Sequence, residues 1–413
     1  MVLLYSTALR LYALLLRLVA PFVPKAAQWV AGRQELLPRI QEALRQEKAP
    51  LAWFHCASLG EFEQGRPLME AYAARHPGHK LVLTFFSPSG YEVRKNWSGA
   101  DYVFYLPLDT AENARLFLDA VRPRLAVFVK YEFWYHFLTE LRQRQIPAIC
   151  VSAIFRPEQS FFQPWGGFFR RIVGSFTHIF TQNQASVDLL RSVGITQASV
   201  AGDTRFDTVV QTASAPPRAL PLVDAFTDDW APVFIIGSSW PEDLPVLTPL
   251  LQQYQKQLRF IVAPHEISET NLRLVEEALP GRVVRYSAAN ASTVAQARVL
   301  LMDNVGLLSQ LYRFGHFAYI GGAFGKGLHN TLEAAAFGLP LFFGPSYHKF
   351  QEAQDLVALG CAFPVTSAAE LLTAFGPLFH NEEGRLTVQD LSLDYVHDHS
   401  GATNKIMQWL AER

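Results

Sequence analysis

The sequence predicts an α/β protein built as two successive doubly wound halves, and three observations carry that expectation. From Leu51 onward, short apolar runs at 51–56, 80–86, 101–106, 125–130, 147–152 and 177–181 alternate with segments of helical length and periodicity. Ala213–Leu222 (ASAPPRALPL), dominated by Pro and Ala, interrupts the series, and a second one follows at 233–237, 258–264, 282–286 and 297–302. The stretch Ile320–Phe350 then packs a strand end, a glycine loop, a helix start and a further strand into thirty-one residues. Open parallel sheets bind ligands beyond the carboxyl ends of their strands, so a cleft between the two halves is expected.

The chain begins with Val2–Val23, almost wholly apolar, in which Arg10 and Arg17 lie seven apart and so share one helix face. No small-residue cleavage site follows, which argues against a secretory signal. Two arginines and Pro21 favour a helix lying in a membrane interface over a simple span, with the arginines snorkelling and Lys25 and Arg33 following. A buried helix that closes the first half is the other reading. The expected division is a membrane-associating helix at 1–30, Rossmann-like domains at 31–212 and 213–395, and a terminal helix at 396–413.

Composition narrows the functional classes. Of 413 residues, 50% are hydrophobic and 13% aromatic, enough for a large core, and the net charge is −1. That balance excludes a generic polyanion binder, so no nucleic-acid partner is expected, and an acidic ligand must be met by local positive groups. Cys56, Cys150 and Cys361 are far apart and form no CxxC pair, which suits a reducing compartment without structural zinc.

In the first half, the loop after strand 51–56 reads Cys56-Ala57-Ser58-Leu59-Gly60-Glu61, and Glu61 opens a helix running to about Arg75. A carboxylate there either complements the helix dipole or, tuned toward working pH, acts as a general base. Glu132, just past Leu125–Lys130 in KYEFWYHF, is a second carboxylate at a strand end, with helix initiation as its alternative role.

In the second half, Gly321, Gly322, Gly325 and Gly327 follow the apolar run Phe317–Ile320 and precede Asn330 and Glu333. Such a loop brings backbone N–H groups close to phosphate. It is not the triphosphatase loop GxxxxGK[ST]: three residues separate Gly321 from Gly325, and Gly327 follows Lys326 where a hydroxyl residue is needed. The helix is expected over Thr331–Phe337, stopped by Gly338 and Pro340, with Asn330 and Glu333 open to a simple capping role. As a ligand residue, Glu333 accepts hydrogen bonds from vicinal ribose hydroxyls. Three other strand ends converge: Ser238 offers a hydroxyl and backbone donors, Pro264 and His265 a base or phosphate contact, and Met302 a packing surface for a base. His397-Asp398-His399 reads as a solvated tail, and no Asp-x-Asp pair is present, so neither a metal nor another cofactor is expected.

The segments FHCASLGEFEQGRPL (54–68), KYEFWYHF (130–137), FTQNQASVDLLRSVGI with GDTRFD (180–207), and GGAFGKGLHNTLEAAAFGLPLFFGPSYHKFQEA (321–353) together resemble the 3-deoxy-D-manno-octulosonic acid (Kdo) transferases. The likeness runs over nearly the whole chain, and the HNTLEA block with its downstream FGP is the most specific part. It implies a GT-B glycosyltransferase, two Rossmann-like domains facing a central cleft, that moves Kdo from CMP-Kdo onto a lipid A precursor (lipid IVA) in lipopolysaccharide core synthesis. The implied place is the cytoplasmic face of the inner membrane.

The resemblance assigns roles by position. Glu61, in a Ser-x-Gly-Glu segment with Ser58 and Gly60 on the acceptor side, is implied to be the base of an inverting single displacement. Glu132 sits at the acidic position of a Glu-Leu-Trp-like segment, here Glu-Phe-Trp, and supports the acceptor. Ser238, Pro264, His265, Met302, Gly322, Gly325, Lys326, Asn330 and Glu333 are implied to hold the donor, with Glu333 on the ribose. Two positions depart from the pattern. Many members carry Arg-His-Pro where this chain reads Pro264-His265-Glu266, so Lys326 or His265 takes over phosphate neutralisation, and many carry an acidic residue where Lys130 stands. The competing readings are a GT-B enzyme acting on a UDP-sugar by transfer or epimerisation, and a nucleotide-sugar binding protein without catalysis.

Overall fold

The computed structural model of the chain describes residues 1–228 and 231–412. The two apolar series become two parallel seven-stranded sheets, one in each of two units, Met1–Thr208 with Ser400–Arg413, and Val209–His399. The first sheet holds β1 (Leu51–Cys56), β2 (Lys80–Phe85), β3 (Tyr102–Tyr105), β4 (Pro123–Val129), β5 (Ala148–Ala153), β6 (His178–Thr181) and β7 (Ala198–Val200). Its order is β3-β2-β1-β4-β5-β6-β7, so the winding reverses between β1 and β4. The second holds β8 (Val233–Ser239), β9 (Arg259–Pro264), β10 (Val283–Arg285), β11 (Val299–Leu301), β12 (Phe317–Ile320), β13 (Leu341–Phe343) and β14 (Ala362–Pro364). Its order, β10-β11-β9-β8-β12-β13-β14, reverses between β8 and β12.

Central strands of such sheets are covered on both faces and therefore apolar throughout. Every residue of β1 is buried, and its two faces feed two cores. Leu51 and Trp53 join one with Phe117, Phe128 and Phe137; Ala52, Phe54 and Cys56 join the other with Phe62, Leu68 and Met69. The core of the second unit is aromatic, Phe375 lying 4.7 Å from Phe317 and 5.5 Å from Phe234 between ring centroids.

Three helices precede β1: α1 (Val2–Val19), α2 (Pro24–Gly32) and α3 (Leu36–Leu44). The apolar stretch expected to be one helix to Val23 stops at Val19, because Pro21 and Pro24 lack the amides that would continue it. One side of α1 is tied to the first unit: Tyr5 Oη donates to Asp109 at 2.6 Å, Ser6 Oγ lies 2.9 Å from His136 Nε2, and Ala13 is buried. The other side leaves Leu3, Leu4, Leu11, Leu14, Leu15 and Leu18 exposed. By length and composition α1 is able to cross a membrane.

Three expectations change. The helix read over Thr331–Phe337 is a single turn, Leu332–Ala335. The terminal helix, Ala402–Ala411, begins later than 396 and belongs to the first unit, where Ala402, Ile406 and Met407 pack into the core that holds Phe62; Arg413 lies outside the described residues. The three-residue edge strands β7 and β14 have no counterpart among the predicted runs.

Candidate active site

In the first unit, α4 (Leu59–Arg75) starts directly after β1, and the chain leaving β4 turns at Lys130 in a left-handed conformation (φ 63°). Both segments lie at the point where the sheet reverses its winding, the usual place for a ligand in such folds. Glu61 is in the first turn of α4, and its carboxylate accepts the Ser58 amide at 3.0 Å, a reciprocal cap of the helix start. Burial, and then the charge of Glu132, push the Glu61 carboxyl up to about 7, against the pull of the Ser58 and Ala57 amides and of Lys130. The dipole role and the poised-base role are therefore compatible. Gly60 is exposed, and a side chain there would meet no neighbour within 4 Å.

Glu132 is buried at 8% exposure and bonded from two sides. His55 Nε2 lies 3.0 Å from its Oε2, and Trp134 Nε1 donates to the same oxygen at 2.8 Å. His55 is wholly buried on β1, and its Nδ1 sits 2.9 Å from Thr84 Oγ1. Sequence reasoning missed His55 because it lies inside an apolar strand run, and read Trp134 as core, although an indole N–H next to a carboxylate wants an acceptor.

In the second unit the candidate residues gather where β8, β9 and β12 end. Gly321 is required by contact: a Cβ there would stand 2.3 Å from the Ser238 carbonyl oxygen. Gly322 takes φ +94°. The loop amides differ from the expectation that they cradle phosphate. Gly322 N–H goes to Asp243 Oδ2 at 3.1 Å, and Gly325 and Gly327 N–H both go to the Gly322 carbonyl at 3.2 and 2.9 Å. These amides fold the loop upon itself, and Lys326 is its exposed side chain.

Asp243, unnoticed in the sequence, is fully buried and ties this side together. It accepts from the Trp240 amide at 2.8 Å and from Tyr319 Oη at 2.9 Å, while burial raises its carboxyl. Beside it runs an aromatic stack. The Trp240 ring lies 4.5 Å from His265 at 23°, His265 lies 4.4 Å from His329 at 24°, and Trp240 Nε1 donates to His329 Nε2 at 3.0 Å. Lys326 Nζ stands 5.6 Å from the Trp240 ring centre. Burial, with the neighbouring His265, pushes His329 down to about 4, so it is neutral at physiological pH and its Nδ1 is the donor it presents. The signal for this stack was present in Trp240 directly after β8 and His329 next to Asn330.

The remaining residues separate. Ser238 is half-buried in a left-handed conformation (φ 53°), and the neighbouring Ser239 Oγ is buried without a hydrogen-bond partner. Asn330 Nδ2 donates to Glu333 Oε1 at 3.1 Å, and Asn330 Oδ1 accepts the Leu332 amide, so Asn330 orients Glu333. Pro264 closes β9 and is buried, whereas His265 is exposed. Met302 is 1% exposed at the end of β11, a core residue rather than a surface for a base: its amide continues the ladder to Val262, which draws the side chain inward.

A family model described as 3-deoxy-D-manno-octulosonic-acid transferase (kdotransferase) matches residues 32–208. The 3-deoxy-D-manno-octulosonic acid transferase of Bordetella pertussis is 25% identical, over 97% of this chain and 98% of that protein. The protein of the same name from Rickettsia bellii is 24% identical over the same shares, and that of Aquifex aeolicus 26% identical over 82% of this chain and 89% of its own. Among solved structures, UDP-GlcNAc 2-epimerase from Neisseria meningitidis, bound to UDP-GlcNAc, aligns with TM-score 0.62 and 16% identity over 88% of this chain and 99% of that one. UDP-GlcNAc 2-epimerase from Methanocaldococcus jannaschii aligns at 0.53 and 13% identity, over 84% and 98%. At these identities the epimerases show the fold alone, a GT-B-like pair of Rossmann-like units.

Proposed function

We propose that the chain, similar to the Kdo transferases over nearly its whole length, transfers Kdo from CMP-Kdo to a lipid A precursor by an inverting single displacement, with Glu61 as the general base. The observation that carries this reading is the Glu61 carboxyl at the first turn of α4, raised to about 7, where it accepts a proton under physiological conditions. In the reaction, Glu61 takes the proton of the acceptor hydroxyl as its oxygen attacks the anomeric carbon. The bond to CMP breaks, and CMP leaves with the electron pair on its phosphate.

The donor is assigned to the second unit. Glu333, oriented by Asn330, accepts from the ribose hydroxyls, and Lys326 with His265 meets the negative charge where other members carry an arginine. Ser238 adds a hydroxyl on the same side. Ser58 and Gly60 flank the base on the acceptor side, where the absence of a side chain at Gly60 leaves room for a bulky sugar.

The acceptor is a lipid, and α1 gives it a membrane to be presented from. The bonds from Tyr5 and Ser6 to the first unit hold one side of α1 along the protein, so its exposed leucines favour lying in the interface over spanning it. The proposed location is the cytoplasmic face of the inner membrane, where nucleotide sugars are available.

The test is product formation from CMP-Kdo, generated in situ, and tetraacylated lipid A precursor in detergent, read by mass spectrometry for the chain and its Glu61→Ala variant. A Kdo-sized mass gain that the variant loses is the expected result. CMP binding without any gain would replace this reading with that of a binding protein.

A further inference from the structure

We propose that the cavity between α1, α2 and α3 binds the phosphate headgroup of an anionic phospholipid, held by Trp29, Arg33 and Arg17. That the occupant comes from a bilayer rests on α1 lying in the membrane interface; the donors that receive it do not.

The cavity has a volume of about 660 Å³. Its wall is made by Ala13 and Arg17 of α1, by Trp29 and Val30 of α2 with Arg33 just after it, by the start of α3 and by the segment Pro107–Leu108. This is the size of a small-ligand pocket.

Its polar groups are donors in want of acceptors. Trp29 is 6% exposed, and its indole Nε1–H is buried without a hydrogen-bond partner. Arg33, half-buried, directs three of its five N–H groups to backbone carbonyls: Nε to Leu106 at 3.1 Å, Nη2 to Phe86 at 2.9 Å and Nη1 to Trp29 at 3.3 Å. Its guanidinium lies 4.0 Å from the centre of the Trp29 ring, so the two free N–H groups and the orphan indole belong to one corner of the protein. Carbonyls accept hydrogens but do not cancel a charge, and neither Arg33 nor Arg17 has a carboxylate partner among the described residues. Glu35, the carboxylate on the lining, is exposed and paired to neither.

A ligand that only accepts hydrogen bonds and carries negative charge answers all three groups. Phosphate does so, and the planar guanidinium suits it. A free phosphate would leave the apolar wall, Ala13, Val30, Leu37 and Leu108, facing water, whereas the glycerol and first methylenes of a phospholipid cover it. Leu14 and Leu18, each one residue beyond Ala13 and Arg17 on α1, are exposed and offer the acyl chains an apolar path.

The test is calorimetric titration of the full chain with dihexanoyl phosphatidylglycerol below its critical micelle concentration, a probe that needs neither a bilayer nor Kdo transfer. One molecule is expected to bind per chain, more weakly as salt rises. Trp29→Phe keeps the ring and removes only the N–H, so it is expected to weaken the probe about tenfold without lowering the melting temperature of the unliganded chain. Arg17→Gln, at an exposed position, weakens it about tenfold and flattens the salt dependence, and Val30→Trp, which fills the cavity but touches neither charge, abolishes binding. Equal affinity in Trp29→Phe and Arg17→Gln would overturn the proposal, as would equal binding of dihexanoyl phosphatidylcholine or displacement of the probe by an equal concentration of inorganic phosphate. An acceptor KM raised tenfold in Trp29→Phe would give the cavity to the acceptor instead. Probe binding as described in a chain that does not sediment with vesicles would sustain the headgroup site and reject the interfacial placement of α1.

Discussion

Asp243 accepts the Gly322 amide at 3.1 Å, so a buried carboxylate behind β8 holds the glycine loop that follows β12. The same carboxylate binds the Trp240 amide and Tyr319 Oη, and Asp243→Ala leaves three donors without an acceptor. Each buried unsatisfied group costs about 1–3 kcal/mol. The expected result is a loss of about 3 kcal/mol in denaturant unfolding of the second unit, with CMP affinity lowered at least tenfold in calorimetry. Unchanged CMP affinity in a folded variant would dissociate the loop from donor binding.

Glu61→Gln separates function from stability. The amide still caps α4 in the manner of Gln at the third helical position, but takes no proton. Transfer is expected to fall by about three orders of magnitude. The natural carboxyl is raised from 4.5 to about 7, so its ionisation opposes folding at alkaline pH. The variant gains about 2 kcal/mol at pH 8. Urea unfolding at that pH measures it.

The pH dependence has a defined sign. Because the folded-state pKa of Glu61 exceeds its unfolded value, its contribution to stability is fully present below about 4.5 and is lost as pH rises through about 7. Activity runs the other way, since the base works when deprotonated. Initial rates at saturating CMP-Kdo should climb tenfold per pH unit below about 7 and level off above it.

On the proposed donor assignment, Lys326 contributes charge and Trp240 stacking. Lys326→Ala is expected to raise the KM for CMP-Kdo about tenfold, an effect that shrinks as salt rises. Trp240→Ala removes the ring that packs against His265 and binds His329, and should weaken CMP about tenfold with little dependence on salt. Titration calorimetry at low and high salt distinguishes them.

Leu14 and Leu18 are exposed, at 49% and 61%, so replacing both with Glu leaves the fold intact. Inserting each leucine into a bilayer contributes about 1.5–3 kcal/mol, and the double variant is expected to stay in the supernatant when the unsubstituted chain sediments with anionic vesicles.

Both sheets were legible in the sequence because strands buried on two faces read as unbroken apolar runs: every central strand, from β1 to β13, falls within two residues of its run. Two of the four edge strands were not: Ala198–Val200 and Ala362–Pro364 are short, half-exposed and mix polar or proline residues into the run. Glu61 was visible as a carboxylate at a helix start, but its elevated proton affinity was not, since that depends first on burial and then on Glu132, seventy-one positions later. His55 shows the same limit: on β1 it looks like one more core residue, and only the turn at Lys130 brings Glu132 to it. The glycines marked the loop after β12, whereas the direction of the Gly322 amide was set by Asp243, a contact seventy-nine residues apart.

The helix Ala402–Ala411 follows the entire second unit yet completes the first. Asp207 receives the Gly401 and Thr403 amides, and Trp409 packs 4.8 Å from His178 and 5.5 Å from Phe180. During synthesis, the unit bearing Glu61 therefore waits, its core around Phe62 uncovered, while the ribosome makes all of Val209–His399. The second unit is synthesised whole before the first is complete, so the unit bearing Glu61 closes last.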